Sequence, residues 1–228
     1  MISPLLANVY LHYVLDLWAA QWRQREATGD MIVIRYADDV VFGFEREEDA
    51  KRFLDAMRTR LGVFELTLHP DKTRLIEFGR YAASNRKERG LGKPETFNFL
   101  GFTFICGKSR RGSFLINRTT RADRKRTKLQ EIGDELRHRW HQSIPEQGAW
   151  LRRVMEGHFA YFGVPTNARA ILAFRHHVKK LWLNALRRRS QRDRSTWGRI
   201  AKLADEWLPK VAIRHPWPNV RFDVKHLR

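Results

Sequence analysis

The sequence predicts an α+β fold, with a mixed sheet-and-helix module over residues 1–117 followed by an all-helical region over 118–228. Three observations lead there. Short runs rich in β-branched and aromatic residues, the mark of strands, occur only in the first part. From Arg118 onward apolar residues recur at helical spacing. The charge also breaks near this point. Residues 1–100 carry 15 basic and 15 acidic side chains and residues 101–228 carry 29 and 10, so the whole formal charge of +19 lies in the second part.

Ser3-Pro4 reads as a helix start, with Ser as N-cap and Pro at the first helical position. Leu5, Leu6, Val9, Tyr10, Tyr13, Val14, Leu17 and Trp18 then give an apolar face about five turns long, ended by Thr28-Gly29-Asp30. Met31–Ile34 and Val40–Phe44 read as strands flanking Arg35-Tyr36-Ala37-Asp38-Asp39. An amphipathic helix follows, with Ala50, Phe53, Leu54, Met57 and Leu61 inward. Strands around Val63–Leu68 and Thr73–Phe78, joined by a turn at His69-Pro70-Asp71, complete an αβ unit. Residues 82–95 are polar and read as a loop. Thr96–Ile105 and Ser113–Ile116 form a hairpin across the basic loop Gly107–Gly112.

Four helices make up the rest. Leu129, Ile132, Leu136 and Trp140 mark the first, and Leu151, Val154, His158 and Phe162 the second. Asn167 caps a third, with Ile171, Phe174, Val178, Leu181, Trp182 and Ala185 inward. Trp197, Ile200, Leu203, Ala204 and Trp207 mark a fourth, stopped by Pro209.

Composition excludes several classes. The chain is 43% hydrophobic and 12% aromatic, so it folds rather than forming a disordered basic tail. Cys106 is the only cysteine, which rules out an internal disulfide and any paired-cysteine zinc site. No apolar run is long enough to span a membrane, and the start does not read as a signal peptide, so the expected location is cytoplasmic. The excess of positive charge calls for a polyanionic partner. The basic helices carry ordinary core faces, which argues against a lipid surface.

Asp38 and Asp39 admit two readings. Asp is common in hairpin turns, where it bonds its own backbone. Adjacent carboxylates at a rigid tip also suit hard divalent cations, which take a few carboxylates plus substrate phosphates. The tight turns that favour Asn-Gly or Asp-Gly are not matched here, because no Gly lies in the turn.

Tyr36-Ala37-Asp38-Asp39 resembles the catalytic hairpin of reverse transcriptases. The segments around it, in order, are similar to those of group II intron reverse transcriptases. Ile2-Ser3-Pro4-Leu5-Leu6-Ala7-Asn8-Val9-Tyr10-Leu11 resembles the palm helix before that hairpin. Leu68-His69-Pro70-Asp71-Lys72-Thr73 resembles the next palm motif, and Phe97-Asn98-Phe99-Leu100-Gly101-Phe102 the primer-gripping hairpin. Tyr161–Asn167, Leu186–Gln191 and His215-Pro216-Trp217-Pro218 are similar to the thumb and maturase region of the same family.

The resemblance implies a partial polymerase palm followed by a helical thumb/maturase domain, working as an RNA-directed DNA polymerase that also helps its intron RNA to splice. It implies Mg²⁺ as cofactor, held by Asp38 and Asp39. It places Tyr36 and Ala37 at the primer end and the incoming deoxynucleotide triphosphate. Lys72 falls near the nucleotide phosphates as a proton donor, although a lysine after a turn is also an ordinary surface residue. Phe99, Leu100 and Gly101 are placed on the primer strand of an RNA template with DNA primer. The family's fingers and first catalytic Asp strand precede the helix at Ser3, so the resemblance implies a chain beginning within the palm and inactive as a polymerase alone. Met1 stands where the family often has Val, consistent with a misassigned start or a decayed copy.

Two basic clusters, Arg118, Arg121, Arg124, Lys125, Arg126 and Lys128, then Arg187, Arg188, Arg189, Arg192 and Arg194, outnumber their acidic neighbours and alternate with Trp and Tyr. They read as contacts to RNA phosphates, group II intron RNA in the light of the resemblance. His176-His177 does not read as a metal site, because adjacent helical residues diverge by about 100°. A non-catalytic RNA-binding splicing factor is the competing function. The sequence contains no signal for oligomeric state.

Overall fold

The computed structural model describes residues 3–189, 196–218 and 220. It is mixed α+β, with two small antiparallel sheets and a largely helical remainder. Two compact units divide at Glu77/Phe78. The composition break near residue 117 falls instead inside a strand of the second unit, whose sheet shares that unit with the basic helices.

The first unit opens with α1 (Ser3–Leu11), a π-helical turn (His12–Asp16) and α2 (Leu17–Arg25). Strands β1 (Met31–Tyr36) and β2 (Asp39–Phe44) form a hairpin, and α3 (Glu47–Val63) follows. Period-two alternation sends Met31, Val33, Phe42 and Phe44 to the helix side, where Phe53 of α3 gathers Trp18, Trp22, Phe42 and Phe44 within 5.3 Å between ring centroids. Ile32, Ile34 and Tyr36 point to the other, exposed face. Asp49, buried in the first turn of α3, accepts the amides of Thr28 and Gly29 and the Thr28 hydroxyl, which fixes the chain entering β1.

The long apolar face expected of the first helix is largely outside the core. Val14, Leu15, Ala19 and Trp22 are buried, whereas Leu5, Leu6, Val9, Tyr10, Tyr13 and Leu17 are exposed. Among the described residues α1 has no buried face, and from the π turn onward an extra residue rotates the register, so burial follows Val14, Leu15, Ala19 and Trp22. The Ser3 side chain expected to cap α1 lies outside the described part, as do Arg192 and Arg194.

The strands expected at Val63–Leu68 and Thr73–Phe78 do not form. Helix α3 runs on to Val63, and irregular chain follows with a turn in which Lys72 and Thr73 donate to the His69 carbonyl. Leu66 and Leu68 still pack on the core, so burial without a ladder satisfies that apolar run.

The second unit begins with a short helix, α4 (Ala82–Glu88), inside the stretch expected to be a loop. The run Thr96–Ile105 is likewise two strands rather than one. Strands β3 (Phe97–Phe99), β4 (Phe102–Lys108) and β5 (Phe114–Thr120) form an antiparallel meander, broken after Phe99 by the two-residue turn Leu100-Gly101. Both turn residues have positive φ, 47° and 75°, the combination of a type I′ turn.

Helices α5 (Ala122–His138), α6 (Ile144–Phe162), α7 (Ala168–Arg187) and α8 (Trp197–Trp207) enclose the second core. Its centre holds Ile132, Leu136, Leu151, Met155, Phe159, Phe174 and Trp182. Ser143 and Glu146 form a reciprocal capping box at the start of α6. Gly148 admits Trp207 so closely that a Cβ would overlap its ring. Trp182 donates its indole N–H to buried Gln147 at 3.0 Å. Trp140 falls beyond α5 and is exposed, and Trp197 is also more exposed than core spacing suggests.

Asn167 precedes α7, but its side chain does not cap that helix. It donates to the Thr120 hydroxyl and the Phe162 carbonyl and accepts the Thr120 amide, all within 2.9 Å. Thr166 adds a pair of bonds to the Arg118 backbone, so the 164–167 loop ties β5 to the helices. Removing this buried side chain in Asn167→Ala takes their partner from the Thr120 amide and hydroxyl, while the Phe162 carbonyl keeps the Val164 amide, and chemical denaturation should show a loss of about 2 kcal/mol or more.

His158 is 9% exposed and stacks on Phe174 at 3.8 Å. Burial, assisted by the charge of Lys128, pushes its pKa down to about 4. The unfolded chain takes up this proton near pH 6.5, so the stability held by neutral His158 is complete above that pH and falls away between about 6.5 and 4. The full effect is at most about 3 kcal/mol. Denaturation midpoints of His158→Phe should lose that slope across the same window.

Candidate functional site

Asp38 and Asp39 close the β1–β2 hairpin. Tyr36 pairs with Asp39, leaving Ala37 and Asp38 as a two-residue turn. Ala37 sits at φ 54°, the left-handed region usually given to glycine at the first central position of such turns. A non-glycine residue held there costs about 1 kcal/mol or more. Both carboxylates are exposed, and among the described residues neither accepts a hydrogen bond from the protein.

Arg35 stands directly below this tip, its side chain only 16% exposed. Its Nε and one terminal nitrogen grip both Asp16 oxygens at 2.7 and 2.6 Å. The other terminal nitrogen donates to Asn8 Oδ1 and to the Ala37 carbonyl, each at 2.9 Å. The guanidinium thus joins α1, the π turn and the strained residue of the hairpin. Its hydrogen bonds hold the Asp16 carboxyl below the usual carboxylate range against the opposing effect of burial, with His12 at 3.4 Å adding to the lowering. Arg35 and Asn8 fall within the motif-bearing segments of the sequence, but neither they nor Asp16 stand out as site residues by sequence pattern, although an arginine in a β-branched strand signals a buried partner.

Lys72 is exposed in the turn after His69. Phe99, Leu100 and Gly101 belong to the second unit and are brought together at the β3–β4 tip. There Tyr161 Oη donates to the Leu100 carbonyl at 2.9 Å, its ring stacks on Phe102 at 5.8 Å, and Phe162 lies against Gly101. The Phe97 and Phe104 rings stack at 4.9 Å, so these aromatics also hold the sheet together.

The basic residues do not form one patch. Helices α5 and α7 run side by side in the same direction. Thr120 meets Asn167 at one end, Leu181 lies beside Gly133 midway, and Arg189 donates to the Gln142 carbonyl at the other. Arg121, Arg124, Lys125, Arg126 and Lys128 cluster at the first end, while Arg187, Arg188 and Arg189 lie at the second, roughly 25 Å away along a 17-residue helix. Arg121 and Lys128 are paired with Asp123 and Glu131. Arg118 lies on β5, half-buried, and loss of solvent pushes its pKa down, though an arginine stays charged at neutral pH. Arg124 and Arg126 are the exposed members of the first cluster.

Residues 1–104 match the sequence model of a family described as reverse transcriptase (RNA-dependent DNA polymerase). The match takes in both hairpin tips and ends within β4, and it supports a reverse transcriptase relationship for this stretch. At the family level the activity is RNA-directed DNA synthesis, with an RNA template and nucleotide substrates. A comparison with curated proteins finds no match. Among the described residues no helix is long and apolar enough to cross a membrane.

Because Asp16 ionises more readily when folded, its bond to Arg35 contributes stability that is present above about pH 4 and lost as acid titrates the folded carboxylate below that. Asp16→Asn should flatten the acid limb of the first unit's unfolding curve, followed through the fluorescence of Trp18 and Trp22.

Proposed function

We propose that this chain supplies the carboxylate tip and primer-contacting turn of an RNA-directed DNA polymerase of the group II intron type, and that its basic helices hold intron RNA during splicing. The observation that carries this reading is the pair of exposed carboxylates on a clamped, strained hairpin tip, within the stretch that matches the polymerase family. Uncommitted oxygen donors suit a hard cation that keeps water and phosphate ligands, so Asp38 and Asp39 would hold Mg²⁺. When bound, the ion would neutralise charge on the attacking and leaving oxygens of nucleotidyl transfer. Tyr36 and Ala37 would line the primer end and the incoming nucleotide. Lys72 would face the triphosphate and return a proton to the departing pyrophosphate. Phe99, Leu100 and Gly101 would position the primer strand, and Arg124 and Arg126 would lead the phosphate contacts.

A second reading, an RNA-binding splicing factor without catalysis, is favoured by one feature. Among the described residues no group of three or more His, Cys, Asp or Glu comes together, so the Asp pair is a partial ligand set for two-metal transfer. Primer extension separates the readings. The chain alone is expected to bind an RNA template with DNA primer while extending it poorly. Efficient cDNA synthesis that disappears in Asp38→Ala would exclude the non-catalytic reading. RNA affinity should survive Asp38→Ala and Asp39→Ala within about twofold if the helices carry it.

Binding to structured intron RNA should weaken about 100-fold or more as salt rises from about 50 to about 200 mM, given some five phosphate contacts. Replacing Arg124, Lys125 and Arg126 together by Ala should lower the slope of log K against log salt by about 2 to 3. A slope that stays unchanged would remove this end of α5 from the RNA interface.

A further inference from the structure

Asp38 and Asp39 can work only if the tip that carries them stays in one place, and the hairpin by itself offers little to ensure that. It has two strands, one face is exposed, and its turn holds an alanine in the left-handed region. Residues 36–39 are all exposed, so packing does not secure them. The one side-chain bond recorded to the tip's backbone among the described residues is that from Arg35 to the Ala37 carbonyl.

We propose that Arg35 is a positioning residue for the Asp38/Asp39 tip, acting through the Ala37 carbonyl and anchored by Asp16 and Asn8. The claim deepens the polymerase reading and rests on it for the role of the tip. The anchor is strong because the Asp16 contact is a two-point, charge-assisted fork, which fixes the guanidinium plane as well as its place. With that plane fixed, the remaining nitrogen meets Asn8 and Ala37 at once. Asp16 is the last residue of the π turn, so this irregularity in the helix stands where the carboxylate meets Arg35 of β1. Lysine cannot replace this geometry, since an ammonium is a point charge without a planar fork.

Charge and position make opposite predictions about metal affinity. Removing a cation near two carboxylates should tighten cation binding if Arg35 acts only through its charge. It should weaken binding if Arg35 holds the tip that carries the two carboxylates in place.

The test uses the full chain, Arg35→Gln and Arg35→Lys, with Mn²⁺ alone as the probe. Amide exchange is followed at residues 36–40 and, as a control for the fold, at Ala50–Leu61 of α3. Both variants are expected to speed exchange at the tip about tenfold, as for loss of one charge-assisted bond, with α3 protected as before. Paramagnetic broadening of the tip amides by Mn²⁺ should need a several-fold higher concentration. Tip exchange unchanged in both variants would overturn the proposal, as would tighter Mn²⁺ binding or equal loss of protection in α3. If Arg35→Gln fails to fold, Asp16→Asn gives the same exchange comparison with the guanidinium retained. Faster tip exchange in the variants together with no Mn²⁺ effect in the unmodified chain would support the clamp and count against the polymerase reading.

Discussion

Each of the two sheets turns at a residue that must adopt a left-handed backbone without being glycine, and in each a side chain takes hold of that residue's carbonyl. Arg35 holds Ala37 in the first unit, and Tyr161 holds Leu100 in the second. Left-handed alanine and leucine cost free energy, so such turns persist only where their surroundings determine them. The two tips are also the places where the family resemblance puts the carboxylates and the primer contact. The scaffold around them follows from this need: in the first unit α1 and the π turn meet at Arg35, and in the second α6 delivers Tyr161 and Phe162 to the turn.

The polar anchors differ in burial, and their chemistry follows. Asn167 and Gln147 are neutral and buried, and each is satisfied by partners inside the core. Arg35 and Asp16 are charged and stay nearer solvent, where a forked pair keeps its attraction without the full cost of dehydration. His158 is the exception, a titratable ring deep among aromatics with a buried Nε2 that finds no partner among the described residues. Burial keeps it neutral at ordinary pH.

Charge distribution is the other organising feature. The excess of cations falls in the second unit, and its two densest clusters stand at the two ends of the α5–α7 pair. In the proposed reading, two contacts roughly a helix length apart would suit a structured RNA with separated phosphate ridges better than a short single strand. Two cations of the first cluster, Arg121 and Lys128, already have carboxylate partners, so the count of basic residues overstates the charge open to a ligand.

Local patterns were sufficient for much of this. The helical spacing of α3 and of α5 to α8 was readable because each contains enough turns for a periodic core face to show. The β1–β2 hairpin was readable from two β-branched runs around an acidic turn, and the same residues carried the resemblance to polymerases. Tertiary structure decided the rest. An apolar run such as Leu66–Leu68 can be buried with or without a ladder, and only its neighbours choose. Helix α1 buries none of its described residues on any face, so the exposure of Leu5, Leu6 and Val9 depends on what packs against that helix and not on their spacing. Arg35, Asp16 and Asn8, or Tyr161 and Leu100, lie too far apart in the chain for any local rule to join them. Their union depends on long-range packing, and long-range packing sets where the tips stand.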